Sequence, residues 1–151
     1  MDTKKYKLTD ERITVLGVSL FRIKALVSFG IVRKGDKGGY VESEENLAQT
    51  GNAWVYGNAE VYGNAEVYGN AEVYGNAEVY GNAWESSPLY VQGIKHSLTN
   101  CKKDHIRIGC MEGTFDWWKN HYKKIGEENG YTEEQIKEYG LYIELFCMVG
   151  K

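Results

Sequence analysis

Three histidines, four clustered cations and a row of tyrosines are the side chains here whose types could do chemistry or hold a ligand. His96, His105 and His121 are the candidates for a general base. None falls in the repeated part of the chain. Asp104 and His105 are adjacent, so on a strand they point to opposite faces and do not form a dyad. Lys95, His96, Lys102, Lys103, His105 and Arg107 make KHSLTNCKKDHIR the one locally basic stretch. Such a stretch could hold a phosphate-bearing ligand, but an ordinary solvated loop is the favoured reading. Cys101, Cys110 and Cys147 are odd in number, widely spaced and without a CxxC pair. They are read as structural, reduced thiols, with no metal site and no cofactor.

The tyrosines come from a hexad. GNAEVY occurs four times in succession from Gly57 to Tyr80, preceded by GNAWVY at Gly51–Tyr56 and followed by GNAW at Gly81–Trp84. Within a unit, Ala and Val are two apart and share one face of a short strand, while Glu and Tyr share the other. The Gly-Asn that follows supplies a turn. A six-residue period does not match a helix, and glycine is not at every third position as in collagen. Tyr56, Tyr62, Tyr68, Tyr74 and Tyr80 are therefore expected on an outward aromatic surface, able to stack on one another or on a ligand ring. Glu60, Glu66, Glu72 and Glu78 share the outward slot, as a solvated acidic face or a weak cation site. Trp54 and Trp84 fall in that slot at either end, where contact with a covering segment or another subunit is expected.

V-Y-G-N-A-E resembles the hexapeptide pattern of left-handed β-helices. The resemblance implies three hexads per triangular turn, so that Tyr56 stacks on Tyr74 and Tyr62 on Tyr80. The strings KYKLTDE, FRIKAL, KGDKGGYVESEENL, DHIRIGC and GYTEEQIKEYGLYI resemble a group of small bacteriophage and prophage hexapeptide-repeat proteins. These carry an N-terminal β module and a C-terminal helical pair. Where that resemblance would place a His-rich stretch, this chain has Met111-Glu112-Gly113, which weakens histidine chemistry there.

The expected fold is mainly β: a short left-handed parallel β-helix, or hexapeptide solenoid, with an N-terminal β module and a C-terminal α-hairpin. Residues 1–38 form the β module, which caps the solenoid. Residues 39–92 form the solenoid, 93–113 a strand and loop connection, and 114–151 the helical hairpin. The hairpin is read from Phe115, Trp118, Tyr122 and Ile125, then Ile136, Tyr139, Ile143 and Phe146. Thr114 and Thr132 are the expected N-caps, with Gln135 completing a capping box. The apolar stripe is expected to bury against the end or side of the solenoid.

Net charge is −3, which makes no case for a nucleic-acid polymer or a membrane surface. No apolar run reaches membrane-spanning length, and no signal peptide is recognised, so a cytoplasmic protein is expected, in the host cell if phage-encoded. The functional expectation is a non-enzymatic phage accessory protein, a homo-oligomer and most simply a trimer. It would bind a host protein or sequester a small nucleotide-like ligand, a counter-defence role being one form of this. A hexapeptide acyltransferase and a purely structural spacer are the alternatives.

Overall fold

The structure is a computed structural model that describes residues 4–151. The chain divides into two compact units, the first ending at Pro88 and the second spanning Leu89–Lys151.

The first unit opens with an antiparallel hairpin, β1 (Tyr6–Val15) and β2 (Val18–Ala25), turning at Leu16-Gly17. β3 (Lys37–Val41) pairs antiparallel with β2 and parallel with the repeat. Each hexad then contributes a strand of two residues: β4 (Trp54–Val55), β5 (Glu60–Val61), β6 (Glu66–Val67), β7 (Glu72–Val73), β8 (Glu78–Val79) and β9 (Ala83–Trp84). Trp54 pairs with Glu72 and Glu60 with Glu78, so parallel partners lie one full set of three hexads apart. The repeat's alanines and valines from Ala53 to Val79 are buried to 1% or less. Their small side chains suit the narrow space between paired strands.

The expected left-handed parallel β-helix is corrected by this pairing. The strands fall into a mixed five-stranded sheet, β1-β2-β3-β5-β8, and two two-stranded parallel ladders, β4-β7 and β6-β9. The antiparallel hairpin takes one edge of β3, and two-residue strands do not carry pairing onward into a continuous sheet. Among the described residues there is no closed solenoid. The hairpin of the N-terminal β module shares this five-stranded sheet with two of the hexads.

Two local shifts refine the expected ladder. Tyr40 pairs with Glu60 and Leu47 with Val67, an offset two residues longer than in the repeat. The two extra residues fall between Leu47 and Trp54, after the 3-10 turn Glu44–Asn46, in which Ser43 and Asn46 form a capping box. At the other end Asn82 takes the left-handed conformation, φ 77°, where earlier hexads use Gly, as at Gly63 with φ 60°. A Cβ on Gly63 would also come within 2.7 Å of the Tyr80 carbonyl. The slip at Asn82 places Ala83 opposite Glu66 and Trp84 opposite Val67. Trp84 therefore turns inward, 1% exposed, and its indole N–H donates to the Gly81 carbonyl at 2.7 Å.

The second unit is an antiparallel sheet with a helical pair. Its strands are β10 (Tyr90–Gln92), β11 (Ser97–Lys102), β12 (His105–Ile108) and β13 (Met111–Thr114), paired in that order. α1 (Phe115–Glu128) is capped by Thr114, and α2 (Glu133–Val149) by the Thr132–Gln135 capping box. Leu98 and Ile106 of the sheet form one core with Trp118, Tyr139, Ile143 and Phe146 of the helices. The apolar stripe of the helices is thus buried on the sheet of its own unit, which corrects its expected docking on the repeat. Asn100, 1% exposed, satisfies its buried amide by bonding the carbonyls of Lys102, His105 and Lys151 and the Lys151 N–H.

Lys5, only 4% exposed, lies in the first unit without a carboxylate partner among the described residues. Its ammonium donates to the Ala53 carbonyl at 2.7 Å and sits 4.9 Å from the Phe29 ring centre. Burial lowers its pKa to about 8 from 10.5. Between those values the unfolded chain holds the proton that the folded chain has released, so stability rises with pH. Burial raises the Tyr6 phenol well above its ordinary value, and this contribution is lost above pH ~10. Urea unfolding of the first unit should gain about 2 kcal/mol between pH ~7.5 and ~9.5 and decline beyond pH ~10. In Lys5→Met the rise should vanish; an equal rise in that variant would show that another group is responsible.

Candidate functional site

The five repeat tyrosines do not form one continuous surface. Tyr56 stacks on Tyr74 with centroids 4.4 Å apart and planes at 12°, and Tyr62 stacks on Tyr80 at 5.2 Å and 28°. Tyr62 is buried with Leu20 and Tyr40, and Ile13, Val15, Val18 and Tyr80 pack against this cluster. The hairpin therefore covers that pair. Tyr56, Tyr68 and Tyr74 remain on the outside, with Tyr74 43% exposed. The Tyr74 hydroxyl donates to Glu72 Oε2 at 2.6 Å, and Tyr56 donates to Oε1 at 3.4 Å. The bond to Glu72 pushes the Tyr74 phenol up; burial, then the Glu72 charge, raises that of Tyr56. Trp54 is buried edge-on against Tyr6 and Phe29, at 6.0 and 5.2 Å. Trp84 is buried on the opposite face from the one expected, for the reason given by the slip at Asn82.

The basic stretch is divided by β11. Lys95 and His96 lie in the turn before that six-residue strand, and Lys103 lies in the turn after it, so the two groups stand ~20 Å apart. At the far end, Lys102 pairs with Glu112 at 3.0 Å and His105 Nδ1 lies 2.7 Å from the Lys103 carbonyl. Arg107 stands across from Thr99 on one side and Glu112 on the other. These residues do not converge on one phosphate. His121 is on the surface of α1, stacked on Trp117 at 4.5 Å.

His96 instead lines a cavity inside the second unit, and Lys95 reaches Tyr131 of its wall. The β10–β11 turn, the Gly109-Cys110 turn between β12 and β13, the end of α1 and the start of α2 enclose about 80 Å³. Trp118, Tyr122, Tyr131 and Tyr139 supply aromatic walls, Ile125 and Ile136 apolar ones, and Cys110 is exposed at the rim. The Tyr139 hydroxyl accepts the N–H groups of Lys95 and His96 at 2.9 and 2.7 Å and donates to the His96 carbonyl at 2.9 Å. One phenol therefore holds the whole turn. Gly93 makes this approach feasible, since a Cβ there would lie 2.3 Å from the Tyr139 oxygen. His96 Nδ1 bonds the Tyr131 hydroxyl, with the two rings 8° from coplanar. Burial raises the Tyr131 phenol to about 12, so it keeps its proton at neutral pH. The Lys95 ammonium lies 4.9 Å from the Tyr131 ring centre.

Reading by sequence found Lys95 and His96 but not their aromatic partners. Trp118 and Tyr139 were assigned to the apolar stripe, where they also belong. Tyr131, between Gly130 and Thr132, carries no periodic signal at all.

No family model matches the chain, and a search of curated proteins finds no match. Together with the mixed and antiparallel sheets, this overturns the resemblance to left-handed β-helices and to bacteriophage hexapeptide-repeat proteins. The phage setting drawn from that resemblance falls with it. The outward aromatics that were to need a second subunit are covered in part by the chain's own hairpin.

Removing the Tyr139 hydroxyl should loosen the turn without emptying the core. Tyr139→Phe leaves two N–H groups and a carbonyl without their partner, costing about 2 kcal/mol. Urea unfolding should show that loss, with amide exchange at Lys95 and His96 accelerated well beyond that of Leu98. Uniform acceleration across the unit would mean that the hydroxyl acts on the core rather than on the turn.

Proposed function

We propose that this is a non-enzymatic binding protein of the cytoplasm, and that the cavity of the second unit receives a small ligand. The supported ligand class is a compact ring or branched apolar group bearing a phosphate or carboxylate. The observation that carries this reading is one enclosure with aromatic walls and a polar mouth formed by His96 and Tyr131, with the Lys95 ammonium held against the Tyr131 ring. Aromatic walls with a few fixed polar groups are the usual composition of small-molecule sites. Lys95 supplies the positive charge for an anionic substituent, and His96 is already oriented by Tyr131.

Binding is favoured over acyl transfer by the histidine contacts. His96 bonds a phenol, and His105 and His121 bond backbone carbonyls, so none is held by a carboxylate as an oriented base. No observation favours a spacer role, for which a formed cavity would be superfluous. No helix among the described residues is long and apolar enough to cross a membrane.

Phenyl phosphate is a suitable first probe, combining a flat ring with a dianion. Its titration should shift the amide resonances of His96, Gly109 and Tyr131 saturably and slow alkylation of Cys110. Ile136→Trp, which fills the cavity, should abolish both effects, and Lys95→Ala should weaken binding roughly tenfold. The reading fails if the shifts do not saturate or persist undiminished in Ile136→Trp.

A further inference from the structure

We propose that the first unit carries a site for an organic cation, an alkylguanidinium or alkylammonium group, independent of the cavity in the second. The cleft encloses about 260 Å³. The loop Phe29–Val32 forms one side; Asn52, Tyr56, Asn70 and Glu72 form the other.

Both sides are fixed in advance. The loop closes on itself through reciprocal backbone bonds between Phe29 and Val32, at 2.9 and 2.8 Å, and Gly30 takes φ 52° between them. This leaves Ile31 at the tip, 78% exposed. An isoleucine so placed is an apolar lip without a function in the core. Opposite it, the phenols of Tyr56 and Tyr74 hold the Glu72 carboxylate, and the Glu72 N–H donates to Ser87 Oγ at 2.9 Å. Two donors leave a carboxylate with further lone pairs to offer.

The charge pattern selects the ligand. Glu72 is half-buried, and no lysine or arginine among the described residues forms an ion pair with it. The nearby Lys5 ammonium is committed to the Ala53 carbonyl and the Phe29 ring. An anion would be repelled by Glu72, and a neutral apolar ligand would desolvate the carboxylate without pairing it. A cation gains on three counts: the carboxylate, the Tyr56 face, and the amide oxygens of Asn52 and Asn70. The side chains of those two asparagines make no hydrogen bond to the described residues. A short alkyl stem would lie along Ile31.

Butylguanidinium and butylammonium, with butyrate as the anionic control, test this by amide chemical-shift titration. At least one cation should bind saturably with Kd near roughly 1 mM or tighter. Its shifts should centre on Ile31, Asn52, Tyr56 and Asn70, with none from butyrate. Glu72→Gln should weaken binding roughly tenfold. Ile31→Arg changes an exposed tip and leaves the fold intact; its own guanidinium should occupy the cleft and block the probe. The proposal is overturned if neither cation saturates, if butyrate binds equally, if Ile31→Arg binds as tightly as the parent, or if the shifts map to His96 and Tyr131. Loss of phenyl phosphate binding in the second unit would leave this result unchanged.

Discussion

A strand of two residues cannot hold itself, so every rung of the repeat exists only through backbone bonds to a segment three hexads away. The Trp54 N–H reaches the Ala71 carbonyl, Tyr56 reaches Val73, Glu60 reaches Ala77 and Tyr62 reaches Val79, at 2.8–3.2 Å. The rest of the first unit answers to that spacing. Small alanines and valines are required inside because paired rungs leave little room. Glycine is required where the chain turns back in the left-handed conformation. Tyrosines pair only with the tyrosine three hexads on, which is why the array resolves into separate stacks rather than one continuous sheet of rings.

Polar side chains then join elements that the ladder alone would leave apart. Arg22 of β2 donates to Glu11 on β1, to the Gly38 carbonyl and the Tyr40 hydroxyl on β3, and to Asn58 in a hexad turn. A planar guanidinium suits this task because its donors radiate in fixed directions. Asn100 and Tyr139 do comparable work in the second unit, one tying in the chain end and the other a turn. The cleft beside Glu72 and the cavity beside His96 are both by-products of this arrangement. In each, side chains already immobilised by structural bonds leave one face unused.

The period of the repeat, the inward positions of alanine and valine, both helices and their caps were legible in the chain, because each depends on local spacing. The sheet arrangement was not. Whether β3 offers its edge to a parallel or an antiparallel neighbour is decided by contacts between distant residues, and period alone does not encode it. Trp84 shows the limit most clearly. Its position in the hexad assigns it outward, yet one left-handed asparagine before it reverses its face. The candidate sites were legible only in fragments. Lys95 and His96 stand out by charge and type, whereas Tyr131 and Tyr139 come from far along the chain and match neither motif nor period. The basic stretch does not act as one group for a simple reason: six residues of extended strand separate Lys95 and His96 from Lys103.

The inward turn of Trp84 also bears on how the protein behaves in a crowded solution. A row of identical rungs is a template, since whatever pairs with one rung can in principle be followed by another copy. After the slip at Asn82, the last rung no longer repeats the alternation of the others, and a bulky indole occupies the column that alanine and valine would have continued. A strand arriving from a second molecule in hexad register would meet the wrong face and no space. The irregularity thus disfavours further pairing in hexad register along the β6-β9 ladder.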